Sequence, residues 1–112
     1  MKLITAVIRP ATLEAIKEAL AVFGVRGLTV GQSLWADPDV NHVQIYRGRQ
    51  IVTNLDPRLR MELLVPDEEV ADLVRVIARV AFTAEIGDPL LWISQVDQVI
   101  RVRTGERGLD AL

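Results

Sequence analysis

The chain states the same pattern twice. A short apolar, β-rich run at Leu3–Ile8 is stopped by Arg9-Pro10, and a second at Leu59–Val65 is stopped by Pro66, 56 positions after Pro10 in a chain of 112 residues. After Pro10, Leu13, Ile16, Leu20 and Phe23 recur at helical spacing. Pro10 stands where a helix start tolerates proline, and Gly24 follows as a stop signal. After Pro66, Asp67 reads as an N-cap, with Glu68 and Glu69 at the positive helix end. Val70, Leu73, Val74, Ile77 and Ala81 then form an apolar stripe. Strands are predicted after each helix, at Gly27–Leu34 and, beyond the turn Gly87-Asp88-Pro89, at Leu90–Val96. Strand–helix–strand twice predicts an α+β fold, a βαββαβ sandwich with one sheet, two helices on one face and right-handed crossovers. The first strand is apolar on both alternations, Leu3, Thr5, Val7 and Ile4, Ala6, Ile8. Strands of that kind are buried on both faces, so a homo-oligomer whose sheets bury each other is expected.

Half of the residues are hydrophobic, enough for one domain over residues 1–112 to form a core without staples. With no cysteine there is no disulfide, thiolate ligand or thiol nucleophile. A net charge of −2 argues against a general nucleic-acid binder. No apolar run approaches the ~20 residues that span a bilayer, and Leu3–Ile8 is too short for a signal-peptide core. A soluble, cytoplasmic domain is expected.

Two regions carry polar chemistry. Trp35–Arg58 is long for a connection in so small a domain. Ala36-Asp37-Pro38-Asp39 reads as a turn, and Val43, Ile45, Ile51 and Val52 flank Tyr46-Arg47-Gly48-Arg49. That pattern fits a protruding hairpin with a doubly basic tip and fits a solvated loop equally well. At the other region, Val99–Leu112, a strand would place Arg101 and Arg103 on one side before Thr104-Gly105 turns the chain. Paired guanidiniums form a fork for phosphate or carboxylate; the other reading is two solvated edge arginines, which spacing alone favours. His42, the sole histidine, cannot make a metal site or catalytic dyad by itself. Asp37, Asp39 and Asp56 read as turn formers before they read as a carboxylate cluster. Trp35 and Trp92 fit core or interface better than base stacking. No activated nucleophile or histidine base stands out, so an enzyme is not expected.

Taken together, Met1–Pro10, Gly24–Val30, Tyr46–Gly48, Ile86–Asp88 and Arg101–Leu112 resemble the PII (GlnB/GlnK-type) signal-transduction proteins over essentially the whole chain. The resemblance implies a ferredoxin-like fold closed into a homotrimer, adenine-nucleotide sites in the clefts between subunits, and a T-loop at about 36–57 that docks on partner proteins. It places Thr29 and the segment Glu62–Leu64 at the adenine. Gly87 and Asp88 fall in the turn that cradles phosphates, Arg101 and Arg103 grip them, and Arg58 stands where a lysine is usual. It also gives Tyr46, Arg47, Gly48 and Arg49 to the docking tip, facing an acidic or carbonyl-lined site on a partner such as a membrane transporter.

Departures from the family pattern sharpen the expectation. Pro89 has no N–H for a phosphate, and Leu90 replaces the lysine that usually meets the outer phosphates. One lost charge-assisted contact costs about 1.5–3 kcal/mol. Asp39 stands where a glutamine usually helps hold Mg²⁺ and 2-oxoglutarate with ATP; it suits a hard cation but repels 2-oxoglutarate and the triphosphate. The tyrosine often uridylylated is Ile51. The expected protein is a divergent regulator of nitrogen-type signalling that favours ADP or AMP over ATP, with Mg²⁺ and 2-oxoglutarate binding impaired. The alternative is a trimeric module for another small anion, bicarbonate or a carboxylate, with nucleotide binding lost.

Overall fold

A computed structural model describes residues 1–25, 27–36, 42–46, 48–53, 55–82 and 89–112, the side chains of 42–46 and 49–53 excepted. Among the described residues, six strands and two α-helices follow in chain order: β1 (Lys2–Ile8), α1 (Leu13–Phe23), β2 (Thr29–Ala36), β3 (His42–Tyr46), β4 (Arg49–Thr53), β5 (Leu55–Val65), α2 (Val70–Ala81) and β6 (Leu90–Gln95). The main sheet has the order β2-β5-β1-β6, and every pairing in it is antiparallel. With β3 and β4 set aside as a separate hairpin, this is the ferredoxin-like strand order.

Each helix is built as its sequence dictates, with one exception. Pro10 opens a 3-10 turn, Pro10–Thr12, whose missing N–H costs nothing there. Thr12 Oγ1 donates to the Arg9 carbonyl at 2.8 Å, and α1 follows. Gly24 ends α1 with φ 110°. Its N–H reaches the Ala21 carbonyl at 3.1 Å while Val25 N–H reaches that of Leu20 at 2.9 Å. This paired arrangement requires a left-handed residue, which only glycine adopts without strain.

Asp67 does not cap α2. A 3-10 turn, Asp67–Glu69, precedes the helix, whose N-cap is Glu69, and no side chain makes a capping bond. The Asp67 carboxylate turns instead to the Met1 ammonium at 2.8 Å and Lys2 Nζ at 3.3 Å. Hydrogen bonding to the ammonium first, and to Lys2 second, holds the Asp67 carboxyl below its ordinary pKa. The local cap lost to a tertiary ion pair that ties the start of β1 to the entrance of α2.

The core lies between the sheet and the helices. Ile4, Ala6 and Ile8 of β1 and Met61, Leu63 and Val65 of β5 face Ile16 and Leu20 of α1 and Leu73, Ile77 and Ala81 of α2. Each Ile or Leu fully buried in this way contributes about 1.5–3 kcal/mol. Phe23, at the end of the α1 stripe, stays exposed. β1 is central and buried on both alternations, since Thr5 and Val7 are also covered.

Strand bounds differ from the predicted ones where pairing overrides pattern. β2 extends to Ala36, beyond the Leu34 expected, because Trp35 and Ala36 pair with Asp56 and Leu55. β5 starts at Leu55 rather than Leu59, and Pro57 sits where β2 is its sole neighbour, an edge position that tolerates proline. The long connection is therefore mostly strand. Inside it, β3 and β4 form an antiparallel hairpin from His42↔Thr53 to Tyr46↔Arg49. The radius of gyration, 17.0 Å, exceeds the roughly 13 Å of a compact chain of this length. β2 and β5 run past β1, and the longest dimension is 56 Å.

Candidate functional site

Strand alternation gathers the polar residues of the sheet on the face away from the helices. Across it, Thr29 of β2 stands opposite Glu62 of β5, Glu62 opposite Thr5 of β1, and Thr5 opposite Trp92 of β6. One step along, Arg60 lies between Gly31 and Val7. Its guanidinium carbon is 5.6 Å from the Trp92 ring centroid, and its Nε donates to Glu62 Oε1 at 3.2 Å. Leu64 falls on the same face beside Leu3, and Arg58 beside Ser33. Four of the expected site residues, Thr29, Arg58, Glu62 and Leu64, thus share one surface. Leu64, Leu90 and Trp92 leave exposed apolar area on it.

Arg58 is the unusual member. Its side chain is 6% exposed, and Nη1 lies 2.6 Å from Asp56 Oδ2. A buried guanidinium must be paired, since desolvating an unpaired charge is far costlier. Arg58 is thus built into the base of the β2–β5 extension, with its charge answered from within the same strand. The alternation Asp56-x-Arg58-x-Arg60-x-Glu62 carries this in the sequence. The contact of Arg60 with Trp92 was missed there because it depends on the register of β5, β1 and β6.

The C-terminal segment corrects the predicted strand. Residues 101–104 do not form one: Arg101 N–H bonds the Glu106 carbonyl at 2.8 Å, and Gly105 N–H bonds the Arg101 carbonyl at 2.7 Å. A single bridge, Ile100↔Arg107, holds the two arms. With only one ladder partner available, a tight turn satisfies more backbone groups than an isolated strand would. Arg101 and Arg103 therefore share an exposed turn and not a strand face. Arg101 Nη2 donates to the Ala111 carbonyl at 3.1 Å and to an oxygen of Leu112 at 3.4 Å. Arg103 makes no ion pair among the described residues.

Of the remaining expected residues, Asp39, Arg47, Gly87 and Asp88 lie outside the described residues, as do the side chains of Tyr46 and Arg49. Gly48 sits in the two-residue connection between β3 and β4. Pro89 is described and leads directly into Leu90 of β6, so the strand begins with no N–H at 89 and no cation at 90. Among the described residues, no three carboxylate or imidazole groups come together to hold a metal ion, and no helix is long and apolar enough to cross a membrane.

A four-stranded antiparallel sheet backed by two helices, with a hairpin leaving between its second and third sheet strands and arginines at its end, defines a small α+β sandwich of the ferredoxin-like class. A family model described as nitrogen regulatory protein P-II matches residues 1–106, and the chain belongs to that family. Relatives named nitrogen regulatory protein P-II are 38% identical in Rhizobium meliloti (strain 1021) and 37% identical in Bradyrhizobium diazoefficiens, in both cases over the full length of both chains. Nitrogen regulatory protein GlnK of Escherichia coli (strain K12) is 33% identical, again over the whole of both chains. Membership makes the chain a regulatory signalling protein, not an enzyme.

Proposed function

We propose that the chain is a single PII-like domain over residues 1–112 that works as a cytoplasmic homotrimer in nitrogen regulation. In this reading it senses adenine nucleotides in clefts between subunits. Occupancy then alters a T-loop at about 36–57, which controls a transporter or metabolic enzyme through Tyr46, Arg47, Gly48 and Arg49. The exposed apolar residues on the open sheet face, Leu64, Leu90 and Trp92, favour association with further copies.

The site would be lined by Thr29, Glu62 and Leu64 on the base, and by Gly87, Asp88, Arg101 and Arg103 on the phosphates. Arg103 suits an anion by its donor chemistry and by the lack of a partner carboxylate among the described residues. Arg58 would act on the ligand through its ion pair with Asp56, as a fixed cation at the loop base, and not as a mobile phosphate contact.

The observation that carries nucleotide preference is the start of β6. Pro89 and Leu90 supply neither the amide nor the cation that outer phosphates need, so ADP or AMP is favoured over ATP. 2-Oxoglutarate adds little to binding, since a carboxylate at position 39 repels it. Calorimetric titration with AMP, ADP and ATP, each with and without Mg²⁺ and 2-oxoglutarate, tests this. ADP or AMP tighter than ATP supports it; clearly tighter ATP overturns it. The small-anion alternative, bicarbonate or a carboxylate held by Arg58, is disfavoured because Asp56 already answers that guanidinium. A rise in melting temperature with bicarbonate and none with any adenylate would reverse the choice.

A further inference from the structure

We propose that the helix-side face of the β2–β5 extension is a second docking surface, which takes an apolar part of the partner protein that the hairpin tip engages. The proposal rests on the docking reading above for the existence of that partner, whereas the surface itself is a feature of β2 and β5.

β1 pairs with β5 only from Leu59 onward, but β2 continues beside β5 to the pair Ala36↔Leu55. Ser33–Ala36 and Leu55–Arg58 therefore form a two-stranded ribbon, and alternation gives it two unlike faces. One face carries the Asp56–Arg58 ion pair. The other continues the face on which Met61 and Leu59 meet the core, with Leu34 opposite Pro57 and Ala36 opposite Leu55. These four residues are exposed, Leu34 at 63% and Leu55 at 44%. The apolar face of the sheet thus outruns the helices that cover it. An antiparallel ribbon with one solvated face turns its polar residues to the water; here the uncovered face is the apolar one. The sheet margin points the same way. β2 is an edge strand, and none of its 8 residues is charged, although solvated edges are commonly blunted by charge.

The occupant is a different protein and not a further copy of this chain. A two-fold contact between copies presents the same patch on both sides. Leu34, Ala36, Leu55 and Pro57 alone fall far short of the roughly 20–30 residues a side of a stable pair. Widening such a contact toward the tip would set Arg47 and Arg49 of each copy against like charge. A single residue separates Thr53 of β4 from Leu55 of β5, so hairpin and ribbon follow one another directly in the chain. The partner surface that fits both is apolar against the ribbon and acidic against the tip.

A photo-crosslinking phenylalanine placed at Leu34, at Arg47 or, as a control, at Glu18 on the exposed side of α1 tests this in the full chain inside its own cells. One and the same foreign protein should be joined from 34 and from 47, and not from 18. With that protein purified, Leu34→Glu should weaken its binding about ten- to a hundredfold. The denaturation midpoint should hold, since the side chain replaced is mostly exposed. Joining from 47 without 34, joining from 34 to further copies of this chain only, or an unchanged affinity in Leu34→Glu overturns the proposal, and joining from 47 still upholds the tip. Joining to a foreign protein from 34 without 47 upholds the surface and removes the tip. No joining from either position removes both.

Discussion

Strand β1 and the stretch 99–102 both carry β-branched apolar residues and put them to opposite uses. β1 buries five consecutive residues, Ile4–Ile8, between two sheet neighbours and two helices. In 99–112 no side chain is buried, and Val102 is 95% exposed although it is as apolar as Val7. Val7 and Val102 differ in their neighbours and not in residue type. β1 has a ladder on both sides, whereas the C-terminal arms have one bridge. The body consequently holds the stability, and the margin holds Arg101 and Arg103 on an exposed turn.

If stability resides in the helix-covered face, removing a side chain there has the largest effect. Ile16→Ala should cost about 2–5 kcal/mol in chemical denaturation, whereas Val102→Ala should stay within about 0.5 kcal/mol. Similar losses at both would erase the contrast. Next in size is Arg58→Ala. It leaves Asp56 beside a buried vacancy and should cost about 3 kcal/mol, read from the shift in denaturation midpoint. A near-neutral result would mean the ion pair is better hydrated than its 6% exposure indicates. Gly24→Ala tests the end of α1, where φ 110° should make the methyl cost about 1 kcal/mol.

The smallest stability effect is at Asp67. Its carboxyl titrates lower in the folded chain than in the unfolded one, because the Met1 ammonium and then Lys2 hold the charged form. Stability from this ion pair is complete above the unfolded-state carboxylate pKa and is lost as pH falls through the lower folded value. The acid limb of a stability-versus-pH curve should therefore flatten slightly in Asp67→Asn. An unchanged limb would show that the exposed pair contributes nothing.

The sandwich was legible because its signals are local: two proline stops, two helical stripes and a glycine stop at 24. The hairpin's apolar flanks, Val43 and Ile45 against Val52 and Ile51, were legible as well, and the register pairs Val43 with Val52. What sequence could not supply was tertiary choice. Asp67 had a good cap position and was taken by a partner 66 residues away. Arg101 and Arg103 alternate as in a strand, yet a strand without a neighbour cannot satisfy its backbone, so a turn formed. Arg58 was readable as a cation, but its burial followed from Asp56 and the pairing with β2. At the candidate site, Thr29, Glu62 and Leu64 were expected from the family resemblance, and the register of β2 and β5 with a period of two puts them on one face.

In the proposed reading a ligand is gripped at the exposed margin by side chains that the body does not need. Arg103→Ala measures this most directly, with ADP affinity by calorimetry and the denaturation midpoint determined on the same preparation. ADP affinity should fall about ten- to a hundredfold, the loss of one charge-assisted contact, while the midpoint stays where it was. ADP bound as tightly as by the unaltered chain, or a midpoint that falls along with the affinity, would contradict it.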